Sequence, residues 1–197
     1  MNPVDESGND SSFRAFKQQL ERAVHARDSS SLLKLVDPQI RNGFGGDDGA
    51  EKFQEIWNPE KTDSEIWEIL ETILSLGATD ESSAEAHLFC APYVFRRFPD
   101  ELDPFEYDVV IRPDAPLRLR PDTQAPVVAK ISYEIVKRLD WVKSDNGRFL
   151  DSWARVRTFD SKEGFMSARD VWSPIGYRAC FQKKEGRWMM AFLGAGD

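Results

Sequence analysis

The sequence predicts an α+β protein, a small helical N-terminal part followed by a β-rich C-terminal part. Three observations predict it. Between Phe13 and Leu76 apolar residues recur at helical spacing. From Val109 onward they fall in short runs rich in Val, Ile and aromatics, separated by clusters of Gly, Pro, Asn and Asp. Residues 96–108 between the two parts (RRFPDELDPFEYD) carry Pro99 and Pro104 and read as a linker. The expected organisation is a disordered tail at 1–12, a helical domain at 13–95, the linker at 96–108 and a β domain at 109–197.

The tail, MNPVDESGNDSS, is polar throughout. In the first helix, residues 11–27, Phe13, Phe16, Leu20, Ala23 and Val24 share one face and Ser11 or Ser12 serves as cap. Asp28 breaks it and caps a short helix at 31–36, which Pro38 ends. Residues 39–49 (QIRNGFGGDDG) form a glycine-rich turn. Asp48 and Glu51 then open a helix through Phe53, Ile56 and Trp57, stopped by Asn58 and Pro59. Thr62 and Glu65 open the most apolar helix, whose stripe runs Ile66, Trp67, Ile69, Leu70, Ile73, Leu74, Leu76, with Gly77 as C-cap. Residues 78–83 are a loop. Residues 87–95 (HLFCAPYVF) read as a strand or an extended connector broken by Pro92.

In the C-terminal part, strands are expected at 109–111, 117–120, 127–130, 135–142, 152–157 and 163–168, with Asn146-Gly147 as a hairpin signal. A final hairpin, 177–183 and 187–193, turns on Lys184-Glu185-Gly186. Tyr177, Ala179 and Phe181 fall on one of its faces, and Trp188, Met190 and Phe192 are expected to share another. Two strands alone are not stable, so the hairpin is expected to extend the β domain.

Arg118-x-Arg120-Pro121, Val127-Val128-x-x-Ile131, Trp153-x-x-Val156 and Gly164-Phe165-Met166 occur in that order. This succession resembles bacterial SH3-like domains and implies a small SH3-like β-barrel, here extended by the C-terminal hairpin. Residues 13–46, with Leu20-x-x-Ala23-Val24-x-x-Arg27-Asp28 and Asp37-Pro38-x-Ile40, are similar to the opening of cone-shaped α+β domains of the nuclear-transport-factor type. The long curved sheet that such a domain needs is not visible before Asp100.

Composition narrows the function. A net charge of −8 disfavours binding to phosphate backbones. Most of the acid lies in the first 110 residues, and the stretch from Arg112 to Arg157 is near balance without the basic stripe of a nucleic-acid reader. No apolar run approaches a membrane span. The two cysteines, Cys90 and Cys180, make neither a disulfide framework nor a zinc set. A single bridge is compatible with an exported protein, while a free buried cysteine is the commoner state. A periplasmic or exported location, with the leader outside this chain, is slightly favoured over the cytoplasm.

No catalytic constellation stands out, and no metal or cofactor is expected. His87 and Cys90 are i and i+3 on an extended segment, which points them to opposite faces. Residues 43–49 (GFGGDDG) match no phosphate loop, and Asp47 and Asp48 would repel a phosphate at the helix start. Glu65, Glu68 and Glu71 line a solvated helix face. Tyr133, Trp141, Trp153 and Phe165 lie in the region that supplies ligand grooves in SH3-like folds, and they are the candidate ligand-binding residues, weighed against ordinary core positions. The expectation is a non-enzymatic binding module of the bacterial envelope that recognises a peptide or cell-wall component. The alternative is a cytosolic structural or regulatory protein that docks a partner on the Ile66–Leu76 stripe.

Overall fold

The computed structural model describes residues 1–196. Helix α1 (Ser11–His25) is capped by Asp10, one residue earlier than the serines suggest. The Asp10 carboxylate accepts from the backbone N–H groups of Ser12 (2.7 Å) and Phe13 (3.0 Å). Helix α2 (Ser29–Leu33) starts on the Asp28 side chain. It ends before Val36, where the chain enters strand β1 (Val36–Arg41) rather than continuing as helix and turn. Pro38 is tolerated there because β1 is an edge strand. Helix α3 (Ala50–Trp57) follows, then α4 (Glu65–Ser75), whose cap is Ser64 rather than Thr62. Strands β2 (Thr79–Asp80) and β3 (Leu88–Ala91), a cis Ala91–Pro92 bond and the short helix α5 (Val94–Arg97) come next.

The β-rich stretch supplies β4 (Tyr107–Val110), β5 (Ala115–Arg118), β6 (Val127–Ile131), β7 (Ile135–Val142), β8 (Trp153–Arg157), β9 (Glu163–Ser167) and β10 (Val171–Trp172). Strands β11 (Arg178–Lys184) and β12 (Arg187–Gly194) complete the described elements. The chain divides into two compact units. An all-β unit comprises Arg97–Pro174 with Met1–Pro3. A helix–sheet unit comprises Val4–Arg96 and the chain from Ile175 onward.

The helix–sheet unit is built on a sheet of order β1-β12-β11-β3-β2. The C-terminal hairpin therefore does not extend the β domain but forms the middle of this sheet. β12 pairs in parallel with β1, and β11 pairs antiparallel with β3, so strands from both ends of the chain close one core. Phe13 of α1 stacks on Phe89 of β3 at 3.9 Å and meets Trp188 edge-on at 5.0 Å, while Phe16 meets Phe181 at 5.6 Å. Such pairs add about 0.5–1.5 kcal/mol each beyond burial. The α4 stripe from Ile66 to Leu76 is buried in the same core, which removes it as a docking face. The expected disordered tail is ordered in its second half. Glu6 donates its N–H to the Ala78 carbonyl at 2.7 Å, Asp5 accepts from the Ala78 N–H, and Ser7 is buried.

Cys90 and Cys180 sit directly opposite each other on β3 and β11 and form a disulfide, Cα to Cα 4.1 Å. Their 90-residue separation spans the whole inserted all-β unit. Spacing gave no indication of this pair, because only the register of β3 against β11 brings it together.

The all-β unit is a sheet of order β10-β4-β7-β8-β9-β5-β6. It is an open sheet with β10 and β6 at its ends, not the closed barrel that the resemblance implies. The β9–β5 junction rests on a single register pair, Arg118 with Phe165, and β6 is a largely exposed edge. Val110, Leu117, Val136, Ala154, Val156, Met166 and Val171 fill its inner face. Strand register follows the predicted alternation through β8 and β9, where buried and exposed residues alternate. Asn146-Gly147 lies in a longer β7–β8 connection that includes a 3₁₀ turn, Phe149–Asp151, rather than in a two-residue hairpin.

Candidate functional site

In the all-β unit the pleat divides the four aromatic candidates. Ala154 and Val156 point into the core, so Trp153, Arg155 and Arg157 point out. Register carries this face across the sheet: Trp153 pairs with Val142 and Ser167, Arg155 with Asp140 and Phe165, and Phe165 with Arg118, which in turn pairs with Val127. The result is one outer surface on which Trp153 and Phe165 stand among Arg155, Arg118 and the exposed Val142 and Val127. A bulge between Arg138 and Asp140 shifts Trp141 to the inner face. There it packs on the core, meets the Phe149 ring at 5.5 Å and takes the Arg138 guanidinium over its own ring. Tyr133 belongs to neither group. It holds a left-handed turn between β6 and β7 (φ 54°), and its carbonyl accepts from the Met1 amino group.

Burial raises the pKa of two acids of this unit. Asp108 on β4 is fully buried. Burial pushes its pKa up to about 6, against the opposing pull of Arg138, which donates to it at 2.6 Å. Arg138 also donates to the Phe105 carbonyl at 2.6 Å, which fixes the guanidinium beneath the sheet. Burial likewise raises Asp170, with Arg112 the nearest opposing charge at 3.8 Å. Each of the two acids faces an arginine rather than a second carboxylate.

The helix–sheet unit carries a groove that sequence reasoning did not find. The sheet face turned away from α1 presents Arg178, Cys180, Gln182 and Lys184 at alternate positions of β11. A bulge between Cys180 and Phe181 pairs Phe192 with Cys180 and Met190 with Phe181. This separates Phe192 from Met190 and Trp188, with which it is expected to share a face, and turns its ring into the groove. Arg41 lies beside Phe192 on β1, and Gln39 precedes it on the same face. With Phe44 and Leu88 these residues line an open groove of about 330 Å³. Arg178 is buried at 5 % exposure, with its guanidinium 4.4 Å from the Phe95 ring centroid, 5.3 Å from Phe44 and 5.4 Å from Phe192, and it donates to the Gly196 carbonyl at 2.8 Å. Lys184 forms an ion pair of 2.6 Å with buried Asp37. Burial opposes ionisation of Asp37, but Lys184 and the Gln39 N–H outweigh it and hold the carboxyl below its ordinary value. The legible signal was the period-two pattern of Arg178, Cys180, Gln182 and Lys184, opposite the apolar face of the same strand.

Among the described residues no cluster of three or more His, Cys, Asp or Glu side chains could hold a metal ion. The disulfide removes Cys90 as a nucleophile or thiolate ligand, and His87 is left without it. No helix among the described residues is long and apolar enough to cross a membrane. Comparison of the chain with protein-family models, with curated proteins and with solved structures found no match.

Proposed function

We propose that the protein is a non-enzymatic binding protein of the bacterial envelope whose all-β unit recognises a peptide or a cell-wall component. The observation that carries this reading is the outer face of β8 and β9. Two large aromatic side chains, Trp153 and Phe165, are presented there among arginines and exposed valines, where a packed core has no use for them. Sugar rings and extended peptides are both bound by flat aromatic faces flanked by polar donors. The candidate set thereby narrows to Trp153 and Phe165, with Trp141 as support beneath them. The Cys90–Cys180 bridge favours an oxidising compartment, since disulfides persist outside the reducing cytosol. The cytosolic alternative loses its motive, because the α4 stripe lies in the protein's own core.

The test is co-sedimentation of the full chain with purified, protein-free peptidoglycan sacculi. Retention of the natural protein and at least a tenfold loss in the Trp153→Ala, Phe165→Ala double variant are expected. Absence of the natural protein from the pellet, or equal retention of the variant, overturns the proposal.

A further inference from the structure

We infer that the groove on the open face of the helix–sheet unit is a second binding site, for a small ligand with a monoanionic head on an apolar body. Three observations converge on that chemistry. Arg41, Arg178 and Lys184 line the groove, and Lys184 is paired with Asp37 beside it, in a chain whose net charge is −8. Cations gathered against the sign of the whole molecule make a local field that selects anions. Asp37 neutralises Lys184, whereas Arg41 has no carboxylate within ion-pair distance among the described residues and lies exposed at the groove edge. Arg41 is thus the group positioned to receive the anionic head, by the paired hydrogen bonds that a guanidinium offers a carboxylate.

The apolar body has its own place. Phe44 is half exposed, and its ring lies 5.7 Å from that of Phe192, with Leu88 across the sheet. Buried Arg178 fixes the orientation of both rings by standing over them, so the wall is set before a ligand arrives. The Cys90–Cys180 bridge runs along the groove floor through Cys180 and ties β11 to β3. Gln39 and Gln182 supply amide donors and acceptors for polar atoms between head and body. The volume of about 330 Å³ suits a ligand of one ring or a short acyl chain rather than a polymer. This site involves none of the residues of the wall-binding face and stands independently of it.

The test is isothermal titration of the full chain with four probes: N-acetylphenylalanine, N-acetylphenylalaninamide, octanoate and octanamide. Each acid and its amide share one body and differ in the head charge. At least one acid is expected to bind about tenfold more tightly than its amide, and the difference should shrink with added salt. Preference within the aryl pair assigns a peptide-type ligand, and preference within the octanoyl pair an acyl-type ligand. Arg41→Glu, a change at an exposed position, should abolish the preference while thermal unfolding stays unchanged. Arg41→Lys should retain part of it. Equal binding of acid and amide in both pairs, no binding of any probe, or an acid preference that survives Arg41→Glu overturns the inference.

Discussion

The helix–sheet unit and the all-β unit close their cores by different routes. In the all-β unit half of the six strand pairings join consecutive strands: β5 with β6, β7 with β8, β8 with β9. In the helix–sheet unit β1 (Val36–Arg41) pairs with β12 (Arg187–Gly194), and β3 pairs with β11 across the 90 residues between Cys90 and Cys180. The first kind of closure costs little loop entropy and is supported locally by turns. The second carries the cost of a long loop, which the inserted unit and the Cys90–Cys180 bridge reduce. Long-range closure also brings residues from three distant segments onto one sheet face, and that is how the groove arises.

The comparison sharpens most under reduction. Removing the bridge, by reductant or by Cys90→Ala with Cys180→Ala, should destabilise the helix–sheet unit by about 3–5 kcal/mol. Urea unfolding should then resolve an earlier transition from α1 and α4, with the β7–β9 signal unmoved. Next in size is a pH effect confined to the all-β unit. Asp108 has an unfolded value near 3.8 and a folded value of about 6. The native state therefore holds the extra proton between these values. The stability from Asp108 is fully present below about pH 4 and is lost as pH rises through 6, up to about 3 kcal/mol in all. Asp5, Asp10 and Asp151, all held below their ordinary value, lose their contribution only as pH falls beneath 3.8, outside that window. Asp108→Asn should flatten the slope of unfolding free energy between pH 4 and 6, leaving the contribution of Asp170, which burial raises, and at the lower end of the window the opposing one of Glu163, which Arg157 holds below its ordinary 4.5.

Two glycines probe the units separately. A Cβ on Gly164 would meet the Arg118 carbonyl oxygen at 2.6 Å and the Leu117 side chain at 2.8 Å. A Cβ on Gly77, itself at φ 82°, would clash with the Val4 carbonyl. Gly164→Ala should destabilise the all-β unit by about 1–3 kcal/mol, and Gly77→Ala the helix–sheet unit by a similar amount, each read in its own unfolding transition. The smallest stability effect is expected at the proposed binding face. Trp153→Ala and Phe165→Ala should each cost under about 1 kcal/mol, since each gives up only partly exposed surface, while wall retention falls.

The same contrast decides what the sequence made legible. Strands β6 to β9 were readable to within a residue or two, because alternation and turn residues are local signals. Helices α1 and α4 were readable from their stripes, though their caps shifted by one or two residues to Asp10 and Ser64. Pro38 hides β1, and local patterning does not show the sheet that β11 and β12 join, because β12 pairs with β1 near the start of the chain and β11 with β3 about 90 residues away. The five-stranded sheet takes β1, β2 and β3 from before Asp100 and β11 and β12 from after Pro174. Among the site candidates, plain alternation puts Trp153 and Phe165 on the outer face. Bulges place Trp141 on the inner face and part Phe192 from Met190 and Trp188, which a period-two reading cannot foresee.

Hydrogen exchange of the full chain, followed peptide by peptide with the disulfide intact and then reduced, tests the two-unit account most directly. Reduction should lower protection together in α1, β3, β11 and β12, and leave β7, β8 and β9 as protected as before. Loss of protection spread evenly over both groups, or loss in the hairpin of β11 and β12 without α1, would contradict it.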